Sequence, residues 1–555
     1  MHFSSLLAGL ALSSALATAE PIRHSTSKYP VIKTNKGSVQ GIASEFRDEI
    51  TVYKGIPFAA ATGGENRWKA PKARKAWSGV HKADSWGPQC AQATSSSAGI
   101  FNAASNITSE DCLFLNIWTP TYNDTSDLTS KNLPVYFWIY GGRFEAGSGD
   151  VATYDGSGLA SKDIIVVTMN YRVGPFGFFA HPELSAESGH NSSGNYGLLD
   201  QQFALRWVQE NIAQFGGNPN QVTVGGQSAG SSSSLDMMFS PLSKNLINGV
   251  ISESGARGPH DPITGSNATS YRTKAAAESE GVTFVKEMKA SSIAEMRKLP
   301  MEDIISYGGS LSDTIFEGTQ FENLTSSFME PPLWRPNIDG YVLTHTYGQA
   351  LDLNAHADVP ILTGNNADES GASTSPGFTV AEYKKLYSEM FGDFAEEFFT
   401  LYPVNNETEA NENSNELFRD LSRVGTWRWG VDWTAGGAKS NVYTYYWTHT
   451  PAEDATSGAY HGSELWYVFN NIPYSDYSNV TWTPLDYRIE EKMSNYWANF
   501  IKTGNPNGDG LTHWPTTTED KNVMWLGNSW GAGVLSKSAA RINFIKRWEA
   551  TLKQW

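Results

Sequence analysis

Residues 221–234 read QVTVGGQSAGSSSS, a short β-forming run that breaks at two glycines and delivers Ser228, with Gly226 and Gly230 two positions away on either side. Small residues at those positions allow a strained strand-to-helix turn that lifts a serine hydroxyl clear of a sheet edge. Glycine and serine are common in this chain, so the pattern draws its force from its surroundings. Upstream, residues 195–217 (NYGLLDQQFALRWVQENIAQFGG) repeat Leu199, Phe203, Trp207, Val208, Ile212 and Phe215 at helical spacing and stop on Gly216 and Gly217. Farther out, residues 133–140, 163–170, 249–252, 359–363 and 441–447, like 221–225 itself, are apolar runs that end at Gly, Asn or a polar turn. They are continuous more than alternating, as expected of strands covered on both faces. Strand, helix, strand in succession requires a parallel crossover, so an α/β fold is predicted, with a large central, mostly parallel sheet flanked by helices. Chemistry in such a sheet gathers at the carboxyl ends of its strands.

The chain has 555 residues, 40% of them hydrophobic and 12% aromatic, enough for one large core. No charge block, Pro-rich linker or repeat interrupts it after about residue 31, so residues 20–555 are expected to form a single domain. A formal net charge of -17 repels phosphate backbones and anionic lipid, which argues against nucleic-acid partners. Residues 1–19 carry an apolar stretch from Phe3 to Leu16 and the small-x-small end Ala17-Thr18-Ala19, the pattern of a secretory signal peptide. No later stretch reaches about 18 uninterrupted apolar residues, so no membrane span is expected. Export agrees with the N-x-[ST] sequons at Asn106, Asn123, Asn191, Asn267, Asn323, Asn406 and Asn479. In an oxidising compartment the default fate of Cys90 and Cys112 is to pair with each other, closing a loop that stabilises the fold by roughly 3 kcal/mol.

A serine hydroxyl attacks only with a base to take its proton and a carboxylate to orient the base. On this type of sheet the acid follows the serine and the histidine follows the acid. VPILTG runs into NNADESG, where Asp368 and Glu369 are adjacent at a strand end, and NVYTYYW leads on to TSGAYHGSELWYVF with His461. His449 is a competing base, whereas His345 and His356 come too early in the order. Neither HExxH, C-x-x-C nor a P-loop is present, so no metal or cofactor is expected; Asn505–Gly510 begins like a calcium loop, but its twelfth position would be Thr516, and it reads as a turn.

Several stretches are then similar to one family: VYKGIPFA, SEDCLFLNIW, PVYFWIYGGRF, NYRVGPFGF, GGQSAGSSS, TGNNADESG, YHGSELWYVF and WANFIKTGNPN. With the helix segment above, they resemble the type-B carboxylesterase/lipase family of α/β-hydrolases, which includes cholinesterases and fungal lipases. The resemblance implies the α/β-hydrolase fold with insertions and an ester substrate. It makes Ser228 the nucleophile, Glu369 the acid and His461 the base, and matches Ser254 to a serine that supports the histidine and acid. It also matches Cys90 and Cys112 to the family's first disulfide, which brackets a surface loop. The oxyanion donors implied are the N–H groups of Gly142, Arg143 and Ala229.

The chain departs from that family at the site itself. Relatives carry three glycines where this chain has Gly141, Gly142 and Arg143, and a glutamate where it has Gln227. Arg143 has two outcomes: its guanidinium turns away to pair with an acid such as Glu145, or it lines the pocket and binds an anionic or polyoxygenated acyl group. The loop between the cysteines has no tryptophan to hold a quaternary ammonium, and Ile100, Phe101 and Ile107 are its only large apolar residues. A choline ester and lipase-like interfacial action are both disfavoured. The expected activity is hydrolysis of a small or medium neutral, anionic or aromatic ester. Its rivals are triacylglycerol hydrolysis, acyl transfer on a specialised metabolite, and a silent adhesion or scaffold role.

Overall fold

The computed structural model of the chain describes residues 29–554 apart from 94–98, 123–126, 267–269, 310, 326, 375, 473–479 and 518–520. The signal peptide and the sequons at Asn123, Asn267 and Asn479 lie outside the described residues.

One sheet of eleven strands organises the molecule. In chain order these are β1 (Ile42–Ala43), β2 (Ile50–Pro57), β3 (Phe114–Pro120), β4 (Leu133–Ile139), β5 (Ile165–Met169), β6 (Gly217–Gln227), β7 (Gly249–Glu253), β8 (Ile361–Asn366), β9 (Val442–Trp447), β10 (Asn522–Leu526) and β11 (Gly531–Val534). Their order across the sheet is β11-β10-β9-β8-β7-β6-β4-β5-β3-β2-β1. Every neighbouring pair from β10 to β5 is parallel, and antiparallel pairing is confined to β11 at one margin and β3, β2 and β1 at the other. The expected mostly parallel α/β sheet is therefore present.

Burial explains why the central strands read as unbroken apolar runs. All residues of β5, β7, β8 and β9 are buried, because helices cover both faces. The crossover from β5 to β6 contains α1 (Tyr196–Asn211), whose last turn tightens into a 3-10 segment, Ile212–Phe215, and stops at Gly216 with φ 92°. Trp207, Val208, Ile212 and Phe215 are buried as the spacing predicts. The same helix also buries Asp200, which the apolar pattern does not explain. Arg172 grips both its carboxylate oxygens at 2.7 Å, so the charge is paired. From β6 the chain enters α2 (Ala229–Phe239), every residue of which is buried. Cys90 and Cys112 are joined by a disulfide.

Candidate active site

Ser228 occupies the single residue between β6 and α2, with φ 60° and ψ −122°. That positive-φ backbone costs a residue with a Cβ roughly 1–3 kcal/mol and persists only where its surroundings enforce it. The turn closes because its two glycines carry no side chain: a Cβ on Gly226 would stand 2.3 Å from Gly230 O, and one on Gly230 would stand 2.0 Å from Ile139 O. The Ser228 N–H donates to Glu253 O at 2.9 Å, which ties the turn to β7.

The two adjacent acids after β8 take different tasks. Asp368 pairs with Arg419 and accepts the Ala459 N–H at 2.8 Å, while its own N–H donates to Ala459 O at 3.0 Å. Those bonds zip the loop to the one that carries the histidine. Glu369 turns the other way: Oε1 accepts the Asn366 N–H at 2.8 Å, and Oε2 meets Nδ1 of His461 at 2.5 Å. With the Nδ1 proton committed to a buried carboxylate, the Nε2 lone pair is the basic position of the ring.

Ser228, Glu369 and His461 line one cavity of 550 Å³. Nε2 of His461 is met by the side-chain nitrogen of Gln227 at 3.0 Å, and no side-chain hydrogen bond joins the ring to Ser228 in this structure. Catalytic hydrogen bonds are often loose before substrate arrives and tighten in the complex. Gln227 therefore holds the ring one residue away from the serine. The N–H groups of Gly142, Arg143 and Ala229 donate to no acceptor among the described residues, and all three residues line the cavity. Ala229 also opens α2, where the helix dipole favours negative charge.

Arg143 pairs with Glu145, as in the first expectation, while it still lines the cavity. Nε donates to Glu145 at 3.1 Å and Nη2 to Glu330 O at 2.9 Å, yet the side chain is 31% exposed and forms part of the cavity wall. Nη1 has no partner among the described residues. Ser254 differs from expectation: it is buried with φ 58°, but its hydroxyl has no hydrogen-bond partner among the described residues.

Burial and neighbouring charges act on the His461 ring in opposite directions. Partial burial lowers the proton affinity of His461, but the hydrogen bond and charge of Glu369 and the charge of Glu464 outweigh it, so its pKa is raised. Glu464 is buried just behind, where Asn366 Nδ2 donates to it at 2.5 Å. Burial first, then the charge of Glu369, pushes its pKa up to about 7 despite that bond. Sequence reasoning missed both Asn366 and Glu464, although a lone acid inside the apolar ELWYVF was a readable signal.

The rivals lie elsewhere. His449 is buried between Asn528 and Asp486. Trp334 donates its indole N–H to Gly308 O, and the Tyr460 hydroxyl bonds Glu453; neither they nor Trp427 line the cavity. Asn505–Gly510 is a turn in which Asn505 accepts the Asn507 N–H at 3.0 Å, and among the described residues no cluster could hold a metal ion. No described helix is long and apolar enough to cross a membrane. Of the apolar residues between the cysteines, Ile100 is buried while Phe101 and Ile107 are exposed. Asn106, Asn191, Asn323 and Asn406 are all exposed.

Known proteins resemble the chain in sequence and in fold. The profile of the Carboxylesterase family matches residues 28–532. A fumonisin B1 esterase from Sphingopyxis macrogoltabida is 34% identical over 93% of this chain and 90% of its own length. A para-nitrobenzyl esterase from Bacillus subtilis (strain 168) is 31% identical over 89% of this chain and 93% of its own. Among solved structures, a PNB esterase superposes with a TM-score of 0.73 at 29% identity, covering 92% of this chain and 98% of that one.

Proposed function

Since the chain belongs to the carboxylesterase family and is a carboxylic ester hydrolase, we propose that it is an exported serine esterase working through an acyl-enzyme on Ser228. The observation that carries this reading is the 2.5 Å contact from Glu369 to Nδ1 of His461, at a cavity that also holds Ser228 and three unengaged N–H groups. In the first half-reaction the ring leaves Gln227, Nε2 takes the Ser228 proton, and Oγ attacks the ester carbonyl. The carbonyl oxygen becomes an oxyanion facing the N–H groups of Gly142, Arg143 and Ala229. The tetrahedral species then collapses: the C–O bond to the alcohol breaks, and His461 gives its proton to the departing oxygen. Water repeats the sequence and frees the acid.

The substrate is a small or medium ester whose acyl part is neutral, aromatic or anionic. A cavity of 550 Å³ suits a ligand of that size. Its wall has no tryptophan among the described residues, and the free Nη1 of Arg143 offers a donor to a carboxylate or a cluster of oxygens. Relatives named fumonisin B1 esterase and para-nitrobenzyl esterase support an ester substrate.

A fluorophosphonate should label wild-type protein at Ser228 and leave Ser228→Ala unlabelled; absence of wild-type labelling overturns the reading. Paired acidic and neutral acyl esters test the preference. Arg143→Gly should lower the acidic-to-neutral ratio of kcat/KM by about tenfold, the worth of one charged hydrogen bond. An unchanged ratio removes Arg143 from substrate selection.

A further inference from the structure

We infer that Gln92 is a positioning residue for the oxyanion donors, acting from the far side of the disulfide on the backbone of Gly147. This rests on the proposed role of the Gly142 and Arg143 N–H groups.

Gln92 lies two residues beyond Cys90 and is buried. Its side-chain amide docks edge-on against one residue: Oε1 accepts the Gly147 N–H at 2.8 Å, and Nε2 donates to Gly147 O at 2.9 Å. Nε2 donates again to Cys90 O at 3.0 Å. Oxygen faces a donor and nitrogen faces two acceptors, so the orientation of the amide is unambiguous. Among the described residues nothing else hydrogen-bonds the backbone of Gly147.

Gly147 closes the coil that carries the donors. Gly142 O accepts the N–H groups of Glu145 and Ala146 at 3.0 and 3.1 Å. The coil is tight enough that a Cβ on Gly142 would stand 2.2 Å from Ala146 O. Inside it, Arg143 and Phe144 are consecutive residues at φ 59° and 61°. A left-handed conformation costs each such residue roughly 1–2 kcal/mol. A strained segment of this kind keeps its shape only if it is braced from several sides. One brace is Phe144, buried against Phe178 with its carbonyl on the Gly174 N–H. A second is the Arg143 bond to Glu330 O. Both act at the start of the coil. Gln92 holds its end, and it does so from a loop anchored by the disulfide.

Loss of that grip lets the coil relax and turns two N–H groups away from the point at which Ala229 aims. Such a change weakens transition-state binding and leaves ground-state binding alone. Gln92→Met keeps the length and removes the bonds. It should lower kcat by about 10- to 100-fold with KM nearly unchanged, less than the loss of a donor outright. Affinity for a trifluoromethyl ketone, which forms a tetrahedral oxyanion on Ser228, should fall by the same factor. An unchanged kcat with unchanged inhibitor affinity overturns the inference, as does a rise in KM alone. Should Gln92→Met not fold, Gln92→Asn, whose amide stops one methylene short of Gly147, carries the same expectations. Wild type measured alongside keeps the two readings apart, since a wild type without esterase activity refutes the proposed function instead.

Discussion

Gln227 meets His461 at Nε2, while against the desolvation of the ring the hydrogen bond and charge of Glu369 and then the charge of buried Glu464 raise its pKa. In the proposed reaction the ring must be neutral to take the Ser228 proton, and its pKa is raised above 6.5, so kcat/KM should climb with pH through a midpoint above that value. Glu464→Gln removes one of the charges that raise it and should move the midpoint down. Gln227→Glu sets a carboxylate against Nε2 and should move it up. A pH–rate profile of both variants checks the signs; two unmoved midpoints would mean that neither group is felt by the base. The same contact enters stability with a definite sign. A histidine whose folded pKa is raised contributes fully below the pKa of the unfolded chain, and the contribution is lost as pH rises through the folded value. The enzyme thus turns over in the range where this ion pair has stopped helping the fold.

Among the elements, the helix Pro484–Thr503 shows what a rival histidine does instead of chemistry. Its Thr483 and Asp486 form a capping box, and Asp486 also accepts His449 Nε2 and the Tyr467 hydroxyl, each at 2.8 Å. His449→Ala should leave the pH–rate midpoint in place and cost about 2 kcal/mol in a denaturant melt, the worth of a hydrogen bond to a charged group. A lost or shifted profile would reinstate His449 as the base. Sequence alone could not separate the two histidines, because each follows the same strand and only packing decides which faces the cavity. It could place β4, β5, β7, β8 and β9, since burial on both faces writes itself as an unbroken apolar run. It did not find β2, where Lys54 and Gly55 break the pattern at an irregular register, or β11, whose GAGV carries no apolar signal. β6 begins at Gly217, four residues earlier than its apolar part. At the site, motif spacing singled out Ser228 and the family resemblance nominated Glu369 and His461, whereas the contacts of Gln227 with His461, Asn366 with Glu464 and Gln92 with Gly147 join residues far apart in the chain and left no local trace.

Across the whole molecule, the loops that build the site leave neighbouring strands of the sheet: His461 follows β9, Glu369 follows β8, Ser228 follows β6 and the donor coil follows β4, while β7 among them ties the Ser228 turn through Glu253 O. A fragment that lacks any of these strands cannot assemble them, so catalysis reports on the centre of the sheet. Activity should vanish, and the emission of the 19 tryptophans shift to longer wavelength, at one denaturant midpoint. An earlier loss of activity would show that the loops open on their own. The sheet margins carry a separate consequence. Its outermost strands are a dipeptide, Ile42–Ala43, and a tetrapeptide containing two glycines, Gly531–Val534. A protein built on so wide a ladder thus presents almost no template on which a stranger's backbone could add another rung, and crowded molecules of it should resist growing into fibrils.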